Sequence, residues 1–477
     1  MLIEIIKNYL MIKNIKRSVV IVSLFTAFTS FSQETPIFGV PENFRNSTSI
    51  DTTNTADIKW KDFFAESDLV KIIEDALVKN NDLQIADKNM AIANLQFKQT
   101  KWGNVPMLNA FVTASSNRLS DNSLNGINTN QSLGRKHLED YSAGISLSWE
   151  ADIWGKINNK KKRALAGYMQ TAEAKKALQT AVIAKVSKGF YDLLMLDAQL
   201  QIAKKTLVLN DSTLFIVNLQ YEAGQVNLFA KQQTEAQQLV AAQLIPQLQQ
   251  NIQIQENALS VLTGAFPEAK ERKSKLETMV VKEKLSAGIP SQLLSKRPDV
   301  KSAEMAVKKA NAKVGITKAS LYPSLNITAS TGVNSFEINN WFNIPASLFG
   351  SVAGSLTAPL LNSKKLKTQY EIAKVEREQA IVQFKQTVLV AVGEVSNALI
   401  KIEKQKTQFE IVTLRVTTLQ KAITNANMLF KNGMVTYLEV IIAQGNLLQA
   451  ELELASIKKE QLSSNVELYR ALGGGWN

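Results

Sequence analysis

Two rows of residues seven apart, 209 positions from each other, constrain this chain more than any other feature. Val186, Leu193, Leu200, Leu207, Leu214 and Tyr221 form the first row; Val395, Ile402, Phe409, Val416, Ile423 and Phe430 form the second. A heptad row of this length specifies helices packed as coiled coils, because an apolar edge must stay against a neighbour along the whole helix. Each row runs into the same kind of turn, Tyr221-Glu-Ala-Gly224-Gln-Val226 and Phe430-Lys-Asn-Gly433-Met-Val435. The duplication predicts a symmetric, tube-like object made of hairpins rather than a compact globule. It also argues against an enzyme.

The helices around the rows are long. Lys156 to Ala223 and Lys364 to Asn432 span 68 and 69 residues without a proline. Each would run about 100 Å at 1.5 Å per residue, over three times a bilayer core of about 30 Å. Return helices are expected from about Leu228 to Leu262 and Leu438 to Leu472, the first kinked at Pro246. A second alignment pairs Asp82-Leu83, Ala86 and Pro106-Met-Leu108 with Asp299-Val300, Ala303 and Pro323-Ser-Leu325, at an offset of 217. The first half therefore holds about eight extra residues. They fall in the polar stretch Ser115 to Glu139, which reads as an exposed loop between strands.

Strand periodicity is the second strong signal. Tyr141, Ala143, Ile145, Leu147 and Trp149 alternate with Ser142, Gly144, Ser146 and Ser148. Leu325, Ile327, Ala329 and Thr331 alternate with Asn326, Thr328 and Ser330, and Leu348, Val352 and Leu356 lie opposite Ser351 and Ser355. Leu108, Ala110, Val112 and Ala114 complete the set, with Phe111 breaking the polar side. From Ala319 to Ser363 the single charge is Glu337, yet Pro323, Pro345 and Pro359 exclude a membrane helix there. Period two with small polar residues on one face suits a membrane barrel. A soluble sandwich alternates in the same way, but these strand pairs are separated by a long helical hairpin and would bury little. Four strands cannot close a transmembrane barrel; three copies supply twelve, and a dimer with eight is the fallback.

Composition removes other classes. With no cysteine there is no disulfide, thiol nucleophile or thiolate metal site, and the single histidine, His137, sits in the polar loop as a surface residue. No catalytic, cofactor-binding or metal-ligating residues are expected. The formal net charge of +13 comes from lysines spread along helices without interleaved aromatics, so no nucleic acid partner is expected. Lys13, Lys16 and Arg17 precede an uncharged run from Ser18 to Ser32 that ends in Ser30-Phe31-Ser32. Residues 1–32 therefore read as a signal peptide, with Met11 an alternative start. The expected division is an extended segment over 33–65, a first repeat over 66–265, a linker over 266–297 and a second repeat over 298–477. Strand pairs are placed near 106–116 and 141–150, then 324–333 and 348–359, with hairpin tips near 224 and 433.

Together these landmarks resemble the TolC-like outer-membrane efflux ducts, particularly the OprM/NodT branch that serves resistance-nodulation-division pumps. The residues carrying the resemblance are Trp149-Glu-Ala-Asp-Ile-Trp-Gly155 and Leu293-Leu-Ser-Lys-Arg-Pro-Asp-Val300 with Ala303-Glu304. Pro323-Ser-Leu325, Phe430-x-x-Gly433 running into Tyr437-Leu-Glu439-Val, and the terminal Leu472-Gly-Gly-Gly-Trp476 complete them. The match covers nearly the whole chain after the leader. It implies a mainly α protein with a membrane β-barrel. Three chains of four strands would make a twelve-stranded outer-membrane barrel, continued through the periplasm by an α-helical coiled-coil barrel. It implies a homotrimer in outer-membrane lipid, a periplasmic adaptor protein gripping the tips and an inner-membrane pump loading the duct. The periplasmic gate is expected at Phe430, Gly433, Tyr437 and Glu439, with three copies of Glu439 forming a charged ring and Phe430 closing the tip by apolar packing. Tyr221 and Gly224 mark the tip that faces the adaptor, and Tyr141, Trp149 and Trp341 are candidate membrane-interface aromatics.

The chain departs from the family in three places. It has no cysteine for the N-terminal lipid that many members carry. Ile442 stands where a second acidic ring residue often lies, and Ala230 where an Asp helps lock the closed tip. The expected function is passive conduction of drugs or other small molecules through the duct of a tripartite exporter. The duct of a type I protein-secretion system or of a metal exporter is the alternative, and an adhesive coiled-coil protein with a barrel anchor is a third class.

Overall fold

Both long proline-free stretches are continuous helices in the computed structural model, which describes residues 39, 41–45, 54–282 and 285–476. The expected signal peptide lies outside the described residues. The elements run α1 (Trp60–Phe63), α2 (Ser67–Lys79), α3 (Asn81–Lys101), β1 (Met107–Arg118), α4 (Leu124–Leu133), β2 (His137–Ala151), α5 (Lys156–Glu222) and α6 (Leu228–Leu262). They continue as α7 (Leu293–Lys296), α8 (Pro298–Ala319), β3 (Ser324–Ser335), β4 (Leu348–Thr357), α9 (Lys365–Lys431) and α10 (Tyr437–Ala471). The duplication is exact in length: α5 and α9 have 67 residues each, and α6 and α10 have 35 each. Helix α6 runs on through Pro246. Among the described residues no helix is long and apolar enough to cross a membrane.

Two local expectations are corrected. The segment over 33–65 is not extended throughout, since Thr55–Asp57 forms a 3-10 turn and α1 follows. Aromatic burial drives this: the Phe63 ring stacks on Tyr469 at 4.1 Å, and the Tyr469 hydroxyl donates to Ile58 O at 2.7 Å. The stretch Ser115 to Glu139 is not one loop. The strands extend into it, and α4 forms inside it, because Ser123 caps the helix start by accepting from Gly126 N and Gly134 ends it in the left-handed region. The linker is held to the helices by side-chain bonds. Arg272 grips Asp197 through two bonds of 2.5 and 2.7 Å and Glu256 through one of 2.6 Å, while Asp68 accepts from the amides of Lys273 and Ser274.

The sheet is antiparallel in the order β1-β2-β3-β4, so β1 and β4 are both edges. Its register sorts the side chains by face. The row Leu108, Leu147, Ala329, Val352 is apolar, and the adjacent row Asn109, Ser146, Ser330, Ser351 is polar. Phe111, which breaks the polar pattern in sequence, finds its reason here. It heads the row Phe111, Gly144, Gly332, Phe349. A Cβ on Gly144 would lie 2.3 Å from Thr331 O, and one on Gly332 would lie 2.1 Å from Ala143 O, so the central strands meet only as glycines. Every residue of β1 is exposed except Phe111, and every residue of β4 except Phe349. The two phenyl rings thus cover glycine backbone from either side.

The two heptad rows are used differently. In α9 the row is the buried seam: Val395, Val416, Ile423 and Phe430 are buried, with Ile402 and Phe409 half-buried. In α5 only Val186 and Leu193 are buried; Leu200, Leu207 and Leu214 are half-buried and Tyr221 is exposed. From there toward the tip the buried seam of α5 is Ala203, Thr206, Asn210, Thr213 and Val217. This neighbouring stripe has the same 3.5-residue spacing but small and polar side chains. Gln444 of α10 donates to Thr213 Oγ1 at 2.8 Å inside it, and Asn210 donates to Gln237 O at 3.2 Å. Polar members of a coiled-coil seam fix register at some cost in stability.

Halfway along, Arg297 ties three helices together. It is 4 % exposed, holds Asp299 through two bonds, donates to Ala471 O at 2.9 Å and pairs with Glu394 at 2.8 Å, which also takes Arg470 at 3.0 Å. Pro298 occupies the first turn of α8, where its missing N–H is not needed. Burial alone would raise the Asp299 and Glu394 carboxyls; the charge and hydrogen bonds of Arg297, helped at Glu394 by Arg470, outweigh it and hold both below their usual range. Their contribution to stability is therefore present above the unfolded values of about 3.9 and 4.3 and is lost as pH falls through the depressed folded values. Arg297→Met should destabilise the protein by about 2–4 kcal/mol, because the partly buried Asp299 loses its partner and Glu394 is left with Arg470 alone. It should also flatten the loss of stability below about pH 4. Denaturant melts of wild type and variant between neutral and acid pH check both effects.

Candidate functional site at the hairpin tips

Both hairpins turn by one backbone motif. Gly224 at φ 70° donates to Tyr221 O at 3.0 Å, and Gln225 donates to Gln220 O at 2.8 Å. Gly433 at φ 69° donates to Phe430 O at 3.0 Å, and Met434 donates to Leu429 O at 2.9 Å. These bonds satisfy carbonyls left over at the helix end. The left-handed φ, rather than crowding, calls for glycine, since a Cβ at either position would meet nothing within 4 Å.

The return helices start differently. Asn227 caps α6 by accepting from Ala230 N at 3.0 Å. At α10, the Glu439 carboxylate accepts from Thr436 N at 3.0 Å and from Thr436 Oγ1 at 2.6 Å, while Thr436 Oγ1 accepts from Leu438 N at 3.3 Å. This is a capping box, and Thr436-x-x-Glu439 is its signature in sequence. Glu439 is exposed. The hydrogen bond from the Thr436 hydroxyl, then the backbone amides, hold its carboxyl below the usual carboxylate range, so it is a fixed negative charge near neutrality.

Between the tips lies an apolar cluster. Phe430 (5 % exposed) packs with Val217 of α5 and Val440 of α10, flanked by Val226, Val435 and Tyr437. The Tyr437 hydroxyl donates to Gln233 Oε1 of α6 at 3.0 Å, crossing from the second hairpin to the first. Within the chain, Phe430 clasps the two hairpins together. Phe430 and Tyr437 are brought together, with Gly433 and Glu439 on the exposed side of the same turn. Tyr221 stands apart and exposed, with the Lys231 ammonium 5.5 Å from its ring. Phe229, Met434 and Leu438 are exposed apolar side chains at the tips that sequence reasoning did not single out, and Ile442 is exposed as well. Their signal was apolar residues within a few positions of each turn glycine.

The three expected interface aromatics divide between the ends of the sheet. Tyr141 and Trp341 lie 5.8 Å apart at one end, with Phe342 4.9 Å beyond Trp341. Trp149 is eight residues further along β2, about 26 Å at 3.3 Å per residue, and its Nε1 donates to Asn104 O at 3.0 Å.

Comparison with known proteins identifies the family and the fold. The family model described as outer membrane efflux protein matches residues 72–265 and 289–474. The cation efflux system protein CusC of Escherichia coli is 27% identical over 445 residues, covering 92% of this chain and 94% of that protein. The solvent efflux pump outer membrane protein SrpC of Pseudomonas putida is 28% identical over 431 residues, covering 89% and 88%. The open state of the MtrE outer membrane channel of Neisseria gonorrhoeae superimposes with a TM-score of 0.83 at 27% identity, over 93% of this chain and 97% of that one. The fold is the TolC-like one, mainly helical with one four-stranded antiparallel sheet. The chain belongs to the outer membrane efflux protein family, whose members are efflux conduits of the outer membrane and not enzymes.

Proposed function

We propose that this chain is the outer-membrane duct of a tripartite exporter, passively carrying drugs or other small molecules from an inner-membrane pump to the exterior. The observation that carries the reading is the sheet. It has one apolar and one polar face and two free edges, and each strand pair leads into a 67-residue helix. Three copies pair every edge, set the apolar rows against lipid and line a lumen with Ser, Asn and Thr. Aromatics at both ends of the sheet suit the two membrane interfaces. The tips reach into the periplasm. Tyr221 and Gly224 face a periplasmic adaptor there, and the turn of Gly433, Tyr437 and Glu439 forms the gate, with three Glu439 carboxylates as a cation-favouring ring. The pump is of the resistance-nodulation-division type.

A metal-exporting duct is the second reading, favoured by the match to a cation efflux system protein. Among the described residues no group of three or more His, Cys, Asp or Glu is placed to hold a metal ion.

Deleting the gene should sensitise cells to detergents, dyes and antibiotics. Sensitivity to copper or silver alone would favour the metal reading, and loss of a secreted protein alone the type I reading. Glu439→Gln keeps an acceptor for the capping box while removing the charge, so single-channel recording should show weaker cation preference with the helix start intact. An unchanged preference would sink the ring. Phe430→Ala should loosen the tip by about 3–5 kcal/mol, read as faster amide exchange over 426–440. A plug facing another chain would instead alter conductance and leave exchange alone.

A further inference from the structure

Charge is shared unevenly between the two ends of the sheet. The ten residues on the helical side of each strand end (97–106, 152–161, 314–323 and 358–367) hold nine lysines and one acidic residue, Asp152. The two connections at the opposite end, 119–136 and 336–347, hold two cations and two carboxylates. Those four are all paired, Arg135 with Glu337 at 2.9 Å and Lys136 with Asp121 at 3.4 Å. On the helical side Lys156 pairs with Glu150 at 2.9 Å. Lys160 and Lys161 of α5, with Lys364, Lys365 and Lys367 at the start of α9, are exposed and make no ion pair among the described residues.

Helix energetics do not account for these lysines. Neither α5 nor α9 has an acidic residue in its first turn, and cations there oppose the helix dipole. Lys364 holds φ 62°, the left-handed region that disfavours a side chain, where the first repeat has Gly155 at φ 69°. The same level is rich in apolar and aromatic surface. Leu360 and Leu361 are 90 % and 99 % exposed, and Trp154 stacks on Tyr322 at 4.8 Å while donating to Pro323 O at 2.7 Å. Exposed leucines and aromatics bordered by unpaired lysines, at the end of strands that cross a bilayer, make a surface complementary to lipid headgroups.

We propose that this lysine collar binds the anionic headgroups of phospholipids in the leaflet nearest the helices. The proposal rests on the duct reading, which puts the strands in a membrane. The leucines and aromatics sit at the acyl boundary, and the lysine stems carry their ammonium groups to phosphate. Each lysine adds an attraction that salt screens within a Debye length. The opposite end, with its charges already paired, has no such preference.

The test uses the full-length trimer in phosphatidylethanolamine vesicles containing phosphatidylglycerol or, in parallel, phosphatidylcholine. Lipid retained on extraction is counted by native mass spectrometry. Wild type should retain phosphatidylglycerol in preference, and the preference should fall with added salt. The variant Lys160→Gln, Lys161→Gln, Lys364→Gln, Lys365→Gln, Lys367→Gln should lose at least about tenfold of it. A control with Lys204→Gln, Lys205→Gln and Lys421→Gln, on the helices near the tips, should match wild type. Equal preference in all three proteins overturns the collar. So does a collar variant that keeps its lipid preference but shifts the ion selectivity of single channels, which would place the lysines in the lumen. Planar-bilayer conductance separates the two readings: a conducting wild type without lipid preference sinks the collar alone, and a wild type that forms no channel sinks the duct.

Discussion

Everything in this chain depends on where the backbone hydrogen bonds of β1 and β4 go. Each is the edge of a four-stranded sheet, and an open edge in hydrocarbon leaves a row of N–H and C=O groups without water to satisfy them. The unpaired edges make one chain an incomplete object. Closing them with further copies fixes the number of chains and the direction of every strand. It also fixes the ring from which the long helices leave, since each helix begins within a few residues of a strand end. The coiled-coil part inherits its circular arrangement from the sheet.

Away from the sheet, the two repeats divide the work. The second carries an apolar seam down to Phe430. The first gives over the same depth to a small, polar stripe around Asn210 and Thr213, bonded to Gln444 and to the Gln237 carbonyl. An apolar seam resists separation and a hydrogen-bonded one resists sliding. The tip therefore has a firm clasp at Phe430 and a register device just above it. Tyr437 joins the second hairpin to the first by its bond to Gln233.

Much of this was legible because periodicity is a direct record of burial. Six residues at sevens demand a long packed helix, and Ser alternating with Ala, Ile and Leu demands a two-faced strand. What stayed hidden depended on contacts between distant residues. The leucine row of α5 looks like a core in sequence, but toward the tip the residues that lie buried are the neighbouring stripe of Ala203, Thr206 and Thr213. The α1 helix forms because Tyr469, some four hundred residues away, offers Phe63 a ring to stack on. Helix α4 and the Thr436–Glu439 box were readable from capping chemistry alone. A composition rich in Asn and Ser hid the first, and an expectation of a charged ring hid the second. The hairpin turns were therefore legible from their glycines and repeat offset, while the contacts of Phe430 and Glu439 needed coordinates.

The equal lengths of the two repeats, 67 with 67 and 35 with 35, have a consequence for how such a chain can change. One residue added to α5 alone would lift its tip about 1.5 Å and turn it about 100° relative to α9. The clasp would open and the polar stripe would face the wrong neighbour. Seven residues added to all four helices would leave every seam facing as before and only move the rim about 10 Å further out. Surface loops drift one residue at a time, but this shaft can lengthen or shorten only by whole heptads taken in step.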